Sequence, residues 1–392
     1  MNMDSLPASA AVDDPLRLDD ALEGMLVVDL SQGIAGPYCA ALLGELGARV
    51  IKVEPPGGDW ARRAGGSVGS SSAIFETFNR GKQGIVLDLK SAAGLADAKR
   101  LLQQADVVVE NARVGAMARL GLGYPELAAE NERLVCVSVS GFGQSGPYAT
   151  RAATDTVMQA FTGIAMAAGN NGQPARLRLA IVDVVTGLYA SQAATAALIK
   201  QLRTGRGRWI DVNLTHAMAA LQAYRIADTL ANGPVPDTEA FAIVGLYRAR
   251  DGVFSISAAS DAQVCAALVA LGCEAMLAPD GPFSTAAERR QHQQRLRQQV
   301  ARAVETRALD DCTRALEQVQ VPCQAVLDYT RFLADPQVVS MGLFERIRTA
   351  DGTGMPAVRM PGLKPGCRGD SRSPSLDEHA AQLRAQYFLE KQ

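Results

Sequence analysis

Met25-Leu26-Val27-Val28-Asp29-Leu30, followed by Ser31-Gln32-Gly33-Ile34-Ala35-Gly36-Pro37, is the stretch that decides the fold. A short apolar run bounded by turn residues reads as a buried strand. The small-residue turn opens an apolar helix from about Pro37 to Leu46, Gly47 stops it, and Arg49 to Val53 reads as a second strand. This is a βαβ unit, and its two strands lie parallel in one sheet. The alternation continues through a strand at Gly84 to Leu89, a helix at Ala92 to Gln104, a strand at Asp106 to Glu110 and a strand at Leu134 to Ser140. It predicts an α/β fold with a Rossmann-like, doubly wound parallel sheet, in which ligands sit outside the carboxyl ends of the strands.

Further on, an Ala-rich helix spans about Val184 to Leu202 and ends at Thr204-Gly205-Arg206-Gly207, before a strand at Trp209 to Asn213 and a helix to about Leu230. Asn232, Gly233, Pro234 and Pro236 then break the chain. Beyond them Ile243 to Arg250 and Val253 to Ala258 read as a hairpin turning at Asp251-Gly252. A late strand pair, Phe344 to Thr349 and Ala357 to Met360, leads to a helix from about Leu376. The expected organisation is a disordered tail over 1–23, a large domain over 24–224, a small α/β domain over 225–325, and a return to the large domain over 326–392.

At 392 residues the chain has two-domain length. Its 39 Lys and Arg against 41 Asp and Glu give a formal charge of -2, which provides no drive toward nucleic acid or an anionic membrane. The first residues are acidic where a signal peptide would be basic and then apolar, and no apolar run reads as long enough to span a bilayer. Three histidines and seven scattered cysteines form no CxxC or HExxH, so zinc sites of those kinds are excluded and no metal is expected. The expectation is a cytoplasmic protein with reduced thiols.

The first turn, Ser31 to Gly36, misses the GxGxxG fingerprint only at its first glycine, and Glu54 ends the next strand where that fingerprint expects an acid for a ribose. A nucleotide-type ligand and an unliganded tight turn both fit. A literal GxGxxG, Gly141-Phe142-Gly143-Gln144-Ser145-Gly146, is followed by more loop rather than a helix, so it reads as a flexible substrate-side loop. Asp183, between apolar neighbours at the start of the long helix, is either an N-cap or a nucleophile that the helix dipole keeps ionised, and Asp155 offers the same choice. Asn111, Arg119 and Lys82 stand near strand ends, where a phosphate clamp and a solvated side chain are both open readings.

In their order these segments resemble the class III CoA-transferase family (CaiB/BaiF type), whose members include formyl-CoA transferase, carnitine CoA-transferases and α-methylacyl-CoA racemase. The matching stretches are Ala35-Gly36-Pro37, Val50 to Asp59, Asn79 to Lys82, Asp106 to Asn111, Gly141 to Tyr148, Asp155 to Gly163, Asp183 to Gly187 and Thr204 to Gly207. The resemblance implies that Asp183 is the nucleophilic aspartate. It implies CoA contacts at Ile34, Ala35, Glu54, Lys82, Asn111 and Arg119, and an interlocked homodimer with its site at a subunit and domain junction. CoA and acyl-CoA would be substrates, with no permanently bound cofactor, and the other partner would be a small carboxylic acid. Backbone N–H groups of the 141–146 loop, Gly143 among them, are candidates for stabilising tetrahedral oxyanions.

Two departures refine this. Ile34 stands where formyl-CoA transferase has a glutamine, which counts against formyl-CoA and oxalate as substrates. Thr154 stands where the racemases have a histidine, which counts against racemisation, since that needs an acid and a base on opposite faces. The rivals are a racemase or epimerase using Asp155 and Asp183, a non-catalytic CoA-binding subunit of a heteromer, and a nicotinamide dehydrogenase suggested by the first turn.

Overall fold

Val27, Val28, Val107, Val108, Val135 and Cys136 are all buried, so consecutive residues of three strands lie in core on opposite sides of one sheet. That is the signature of a sheet covered on both faces. The protein is described by a computed structural model at residues 18–169, 172–233, 242–363 and 372–388. Its main sheet has six strands: β1 (Leu26–Asp29), β2 (Arg49–Glu54), β3 (Gln83–Val86), β4 (Val107–Glu110), β5 (Val135–Ser140) and β6 (Arg208–Asn213). They run parallel in the order β3-β2-β1-β4-β5-β6. The order reverses between β1 and β4, and the loops leaving these two strands form the crevice where such sheets take ligands.

On one face, Val27, Val50, Val107, Val109, Val135 and Val137 pack with helix α1 (Ala35–Glu45) and with the long helix at Ile181–Thr204. On the other, Val28, Ile51, Val53, Ile85 and Val108 pack with the helix at Ala92–Leu102 and with Leu383 from the chain's end. The carboxy-terminal segment also covers the open edge of β3. There the Gly84 N–H donates to His379 Nδ1 at 3.1 Å and the Val86 N–H to Asp377 Oδ1 at 2.7 Å, which blunts an edge that would otherwise template association.

The chain divides into two compact units, one of residues 1–227 with 339–392 and one of 228–338. The second contains an antiparallel sheet of Gly245–Ala249, Gly252–Ile256 and Cys323–Ala325 around its own apolar core. Cys323–Ala325 is a strand that the sequence reading missed, because three residues carry no periodicity. Its pairing with Gly252–Ile256 keeps the chain in this unit past residue 325.

Two further expectations change, and one lies outside the described residues. Residues 1–17 of the expected tail lie outside the described residues, but Asp19 and Leu22 are buried, so 18–23 belong to the folded unit. Pro234 and Pro236, read as breakers, also lie outside the described residues. The helix Ile181–Thr204 is long and apolar enough to cross a membrane by length and composition. In this fold Val182, Val185, Ala190, Ala194 and Leu198 lie in the core beneath the sheet.

Candidate active site

The crevice is built on a buried charge cluster. Asp29 at the end of β1 accepts from the Ser31 N–H at 2.9 Å and from Lys82 Nζ at 2.8 Å. Lys52 Nζ, in the middle of β2, donates to the Ser31 carbonyl at 2.6 Å and to Asp59 Oδ2 at 2.8 Å. Asp29, Lys52, Lys82 and Asp59 have no side-chain exposure. Burial opposes the charge on Asp29, but Lys52 and Lys82, with hydrogen bonds from Lys82 and Ser31, hold its carboxyl below the ordinary range. Burial pulls the Lys82 ammonium down to about 8 against the attraction of Asp29.

Two side chains hold the first turn from either side. The Gln32 N–H donates to Asn111 Oδ1 at 2.9 Å while Asn111 Nδ2 donates back to the Gln32 carbonyl at 2.7 Å, joining the loops after β1 and β4. The Gly33 N–H donates to both oxygens of Asp59 at 3.1 Å. Replacing Asp59 by alanine leaves Lys52 and the Gly33 N–H without this partner in a buried site. The expected cost is about 3–5 kcal/mol of stability, measurable by denaturant unfolding.

This geometry corrects two of the CoA contacts implied above. Glu54 is fully buried and accepts a two-pronged hydrogen bond from Arg62, at 2.7 Å on each oxygen, and the Asp59 N–H at 2.9 Å. It shapes the loop after β2 and has no surface for a ribose. Lys82 donates to Asp29, to the Pro37 carbonyl at 2.8 Å and to Asn79 Oδ1 at 2.9 Å, so its three protons are engaged inside the protein. Ile34 and Ala35 are buried, the Ile34 carbonyl accepting the Tyr38 N–H at 2.8 Å, whereas Arg119 is exposed, its guanidinium lying over Gly115. The sequence reading passed over Asp29, Lys52 and Asp59, although a lysine inside the apolar run of β2 was the available signal.

Asp183 is not an N-cap. The long helix, α2 (Ile181–Thr204), has Ala180 at its N-cap, and Asp183 lies in its first turn. The cap is supplied from elsewhere in the chain. Asp155 begins the short helix Asp155–Phe161, and its Oδ2 accepts the N–H groups of Val182 at 2.8 Å and Asp183 at 3.3 Å. Gln159, one turn on, donates to Asp155 Oδ1 at 2.6 Å and to the carbonyls of Leu177 and Leu179 at 3.1 Å, and accepts the Leu177 N–H at 2.9 Å. The segment leading to α2 and the start of α2 are therefore held by one pair of side chains. Burial first, and the neighbouring Asp155 carboxylate second, push the Asp183 carboxyl up to about 7.

Gly187, one turn beyond Asp183, brings the two clusters together. A Cβ there would lie 2.8 Å from the Ala35 carbonyl oxygen and 3.1 Å from Tyr38 Cβ, so only glycine lets α2 approach the start of α1 this closely. Asp183 thus stands one helical turn from the contact with the first turn of the crevice. The glycine loop joins the same region through Phe142, whose ring meets Phe161 edge-on at 5.1 Å. Gly143 is corrected as an oxyanion donor: its N–H donates to Ser140 Oγ at 3.1 Å, and that of Gln144 to Asp211 Oδ2 at 3.1 Å. Among the described residues, no group of three or more His, Cys, Asp or Glu side chains is placed to hold a metal ion.

Comparison with known proteins adds a family. A profile described as CoA-transferase family III matches residues 22–380. The chain is similar to the succinate–glutarate CoA-transferase of Agrobacterium fabrum, 34% identical over 93% of this chain and 95% of the relative. It is similar also to the acetyl-CoA:oxalate CoA-transferase of Acetobacter aceti, 33% identical over 95% and 97%. Among solved structures, a CAIB/BAIF family protein from Brucella suis superposes with a TM-score of 0.83 at 34% identity, over 93% of this chain and 99% of that one.

Proposed function

The chain belongs to CoA-transferase family III and is an acyl-CoA:carboxylate CoA-transferase, and from that premise we propose that Asp183 is its covalent station. The observation that carries this is the position of Asp183: in the first turn of a helix capped by another aspartate, one turn from the contact with the crevice. A helix start favours the carboxylate. Burial and Asp155 disfavour it, and a raised pKa makes a more basic, more reactive nucleophile once it is ionised.

Exchange of one thioester for another is nearly balanced in free energy, so covalent relay suffices. The Asp183 carboxylate attacks the donor acyl carbonyl, and the C–S bond breaks to give a mixed anhydride and CoA thiolate. The thiolate attacks the aspartyl carbonyl, releasing the donor acid as its carboxylate and leaving an aspartyl-CoA thioester. The acceptor carboxylate attacks that thioester, forming a second anhydride and freeing the thiolate again. Attack of the thiolate on the acceptor's acyl carbon gives the new acyl-CoA and returns Asp183 to its ionised form.

The substrates best supported are a dicarboxylic acid and succinyl-CoA. Relatives from Agrobacterium fabrum and Homo sapiens are named for succinate or succinyl-CoA and glutarate. Arg176 and Arg178 place positive charge on the exposed segment that Gln159 holds ahead of α2. CoA would lie against the first turn, with Arg119 the exposed cation nearby. A homodimer is the expected assembly; a heteromer is the second reading, favoured by a relative from Chloroflexus aurantiacus named as an alpha subunit.

The test is to incubate the protein with succinyl-CoA, quench with hydroxylamine, and map the adduct by mass spectrometry. The expected result is a hydroxamate on Asp183, with transfer to glutarate exceeding that to oxalate. A modification at another residue would overturn the mechanism.

A further inference from the structure

Trp60 is 51% exposed although its chain neighbours Asp59 and Ala61 are wholly buried. Its backbone is held on both sides. The Asp59 N–H donates to Glu54 at 2.9 Å, the Ala61 N–H to Asp59 at 2.9 Å, and Arg62 forks onto Glu54 while its guanidinium lies 3.7 Å from the Phe75 ring centroid. The indole leans on the first turn. Gly33 has φ +85°, and a Cβ built there would lie 2.4 Å from Trp60 Cζ2, so the ring occupies the space any other residue at 33 would need.

The same turn directs its polar groups inward. The N–H of Gln32 is engaged by Asn111 and that of Gly33 by Asp59. At these positions the turn is therefore no cradle for a phosphate, which would need those N–H groups. What it presents instead is an aromatic surface already fixed in place, which a ligand can cover without paying to order it. The surface lies on the turn that Gly187 joins to the helix of Asp183, where the reacting end of a thioester must lie.

We infer that Trp60 is a binding residue whose indole carries the uncharged pantetheine end of the CoA thioester, while the charged nucleotide end lies away from the first turn. This rests on the CoA-binding reading of the crevice. It also accounts for the failure of the turn to match a dinucleotide fingerprint: the turn is built for an uncharged arm.

The chain has two tryptophans, Trp60 and Trp209. In Trp209→Phe, CoA added to saturation should shift the emission of Trp60, and the shift should vanish in Trp60→Phe with Trp209 retained. Steady-state kinetics then locate the contact. Trp60→Ala should raise KM for succinyl-CoA roughly tenfold and leave the inhibition constant of adenosine 3′,5′-bisphosphate unchanged, while Trp60→Phe, which keeps an aromatic face, stays within about threefold of the parent. Weaker inhibition by adenosine 3′,5′-bisphosphate in Trp60→Ala would place the nucleotide on the indole and overturn the inference. So would CoA binding seen by equilibrium dialysis with no change in Trp60 emission, which leaves the CoA reading intact. Absence of CoA binding in dialysis would instead undo that reading itself.

Discussion

Asp183→Asn should lower the rate of CoA exchange by roughly 10³-fold or more and at the same time stabilise the fold at pH 8. The first effect follows from replacing the nucleophilic carboxylate by a neutral amide. The second follows from linkage. The Asp183 carboxyl titrates near 7 in the folded chain against an ordinary value of 3.8, so between those values the native state holds a proton that the unfolded state has lost. Stability contributed by this group is full below about pH 4 and is lost as pH rises through about 7. Asparagine carries no such penalty, and the gain above pH 8 is at most about 4 kcal/mol, reduced because Asp183 keeps some contact with water. Thermal melts of the two proteins at pH 5 and pH 8 check this: their difference should widen at the higher pH. Equal melting at both values, or exchange activity retained in the variant, would remove Asp183 from its assigned role.

Asp155→Asn should act on the same group from outside. Asp155 raises the pKa of Asp183 by its charge and fixes the start of α2 by accepting the N–H groups of Val182 and Asp183. Its removal has two separable consequences. The pH at which single-turnover acylation reaches half its maximum should fall below 7, because a neutral amide no longer disfavours the Asp183 carboxylate. The plateau rate should drop by roughly 10²-fold, because the amide cannot accept from both α2 and Gln159 as the carboxylate does. A purely structural role would lower the plateau and leave the midpoint in place. If Asp155 instead moved a proton at the α-carbon, the wild type would incorporate deuterium there from D2O without exchanging CoA, the behaviour of the isomerase alternative.

Much of this was legible in the chain itself. The β1 to β2 unit, the alternation behind it and the Gly205 stop after α2 follow from local periodicity and turn chemistry, and six parallel strands of four to six residues formed where strands are read from the chain. The position of Asp183 at a helix start was readable too. What a single aspartate at a helix start does was not, because the N-cap role went to Asp155, a residue 27 positions before the Val182 N–H it accepts. Lys82 and Glu54 misled for the same reason. A charged residue near a strand end looks the same in sequence whether it meets a ligand or another charge, and the structure pairs these two with Asp29 and Arg62.

By itself, then, the sequence determined the order of strands and helices, and by resemblance the reaction class, since both rest on patterns carried by neighbouring residues. Only the tertiary structure decided which polar groups remain for a substrate. Burying a charge or an N–H without a partner costs several kcal/mol, so residues far apart in the chain are drawn together until each is satisfied. Asp59 on Gly33, Asn111 on Gln32 and Asp155 on α2 are such pairings. What they leave over, the Asp183 carboxylate and the face of Trp60, is the chemistry that no local pattern announces.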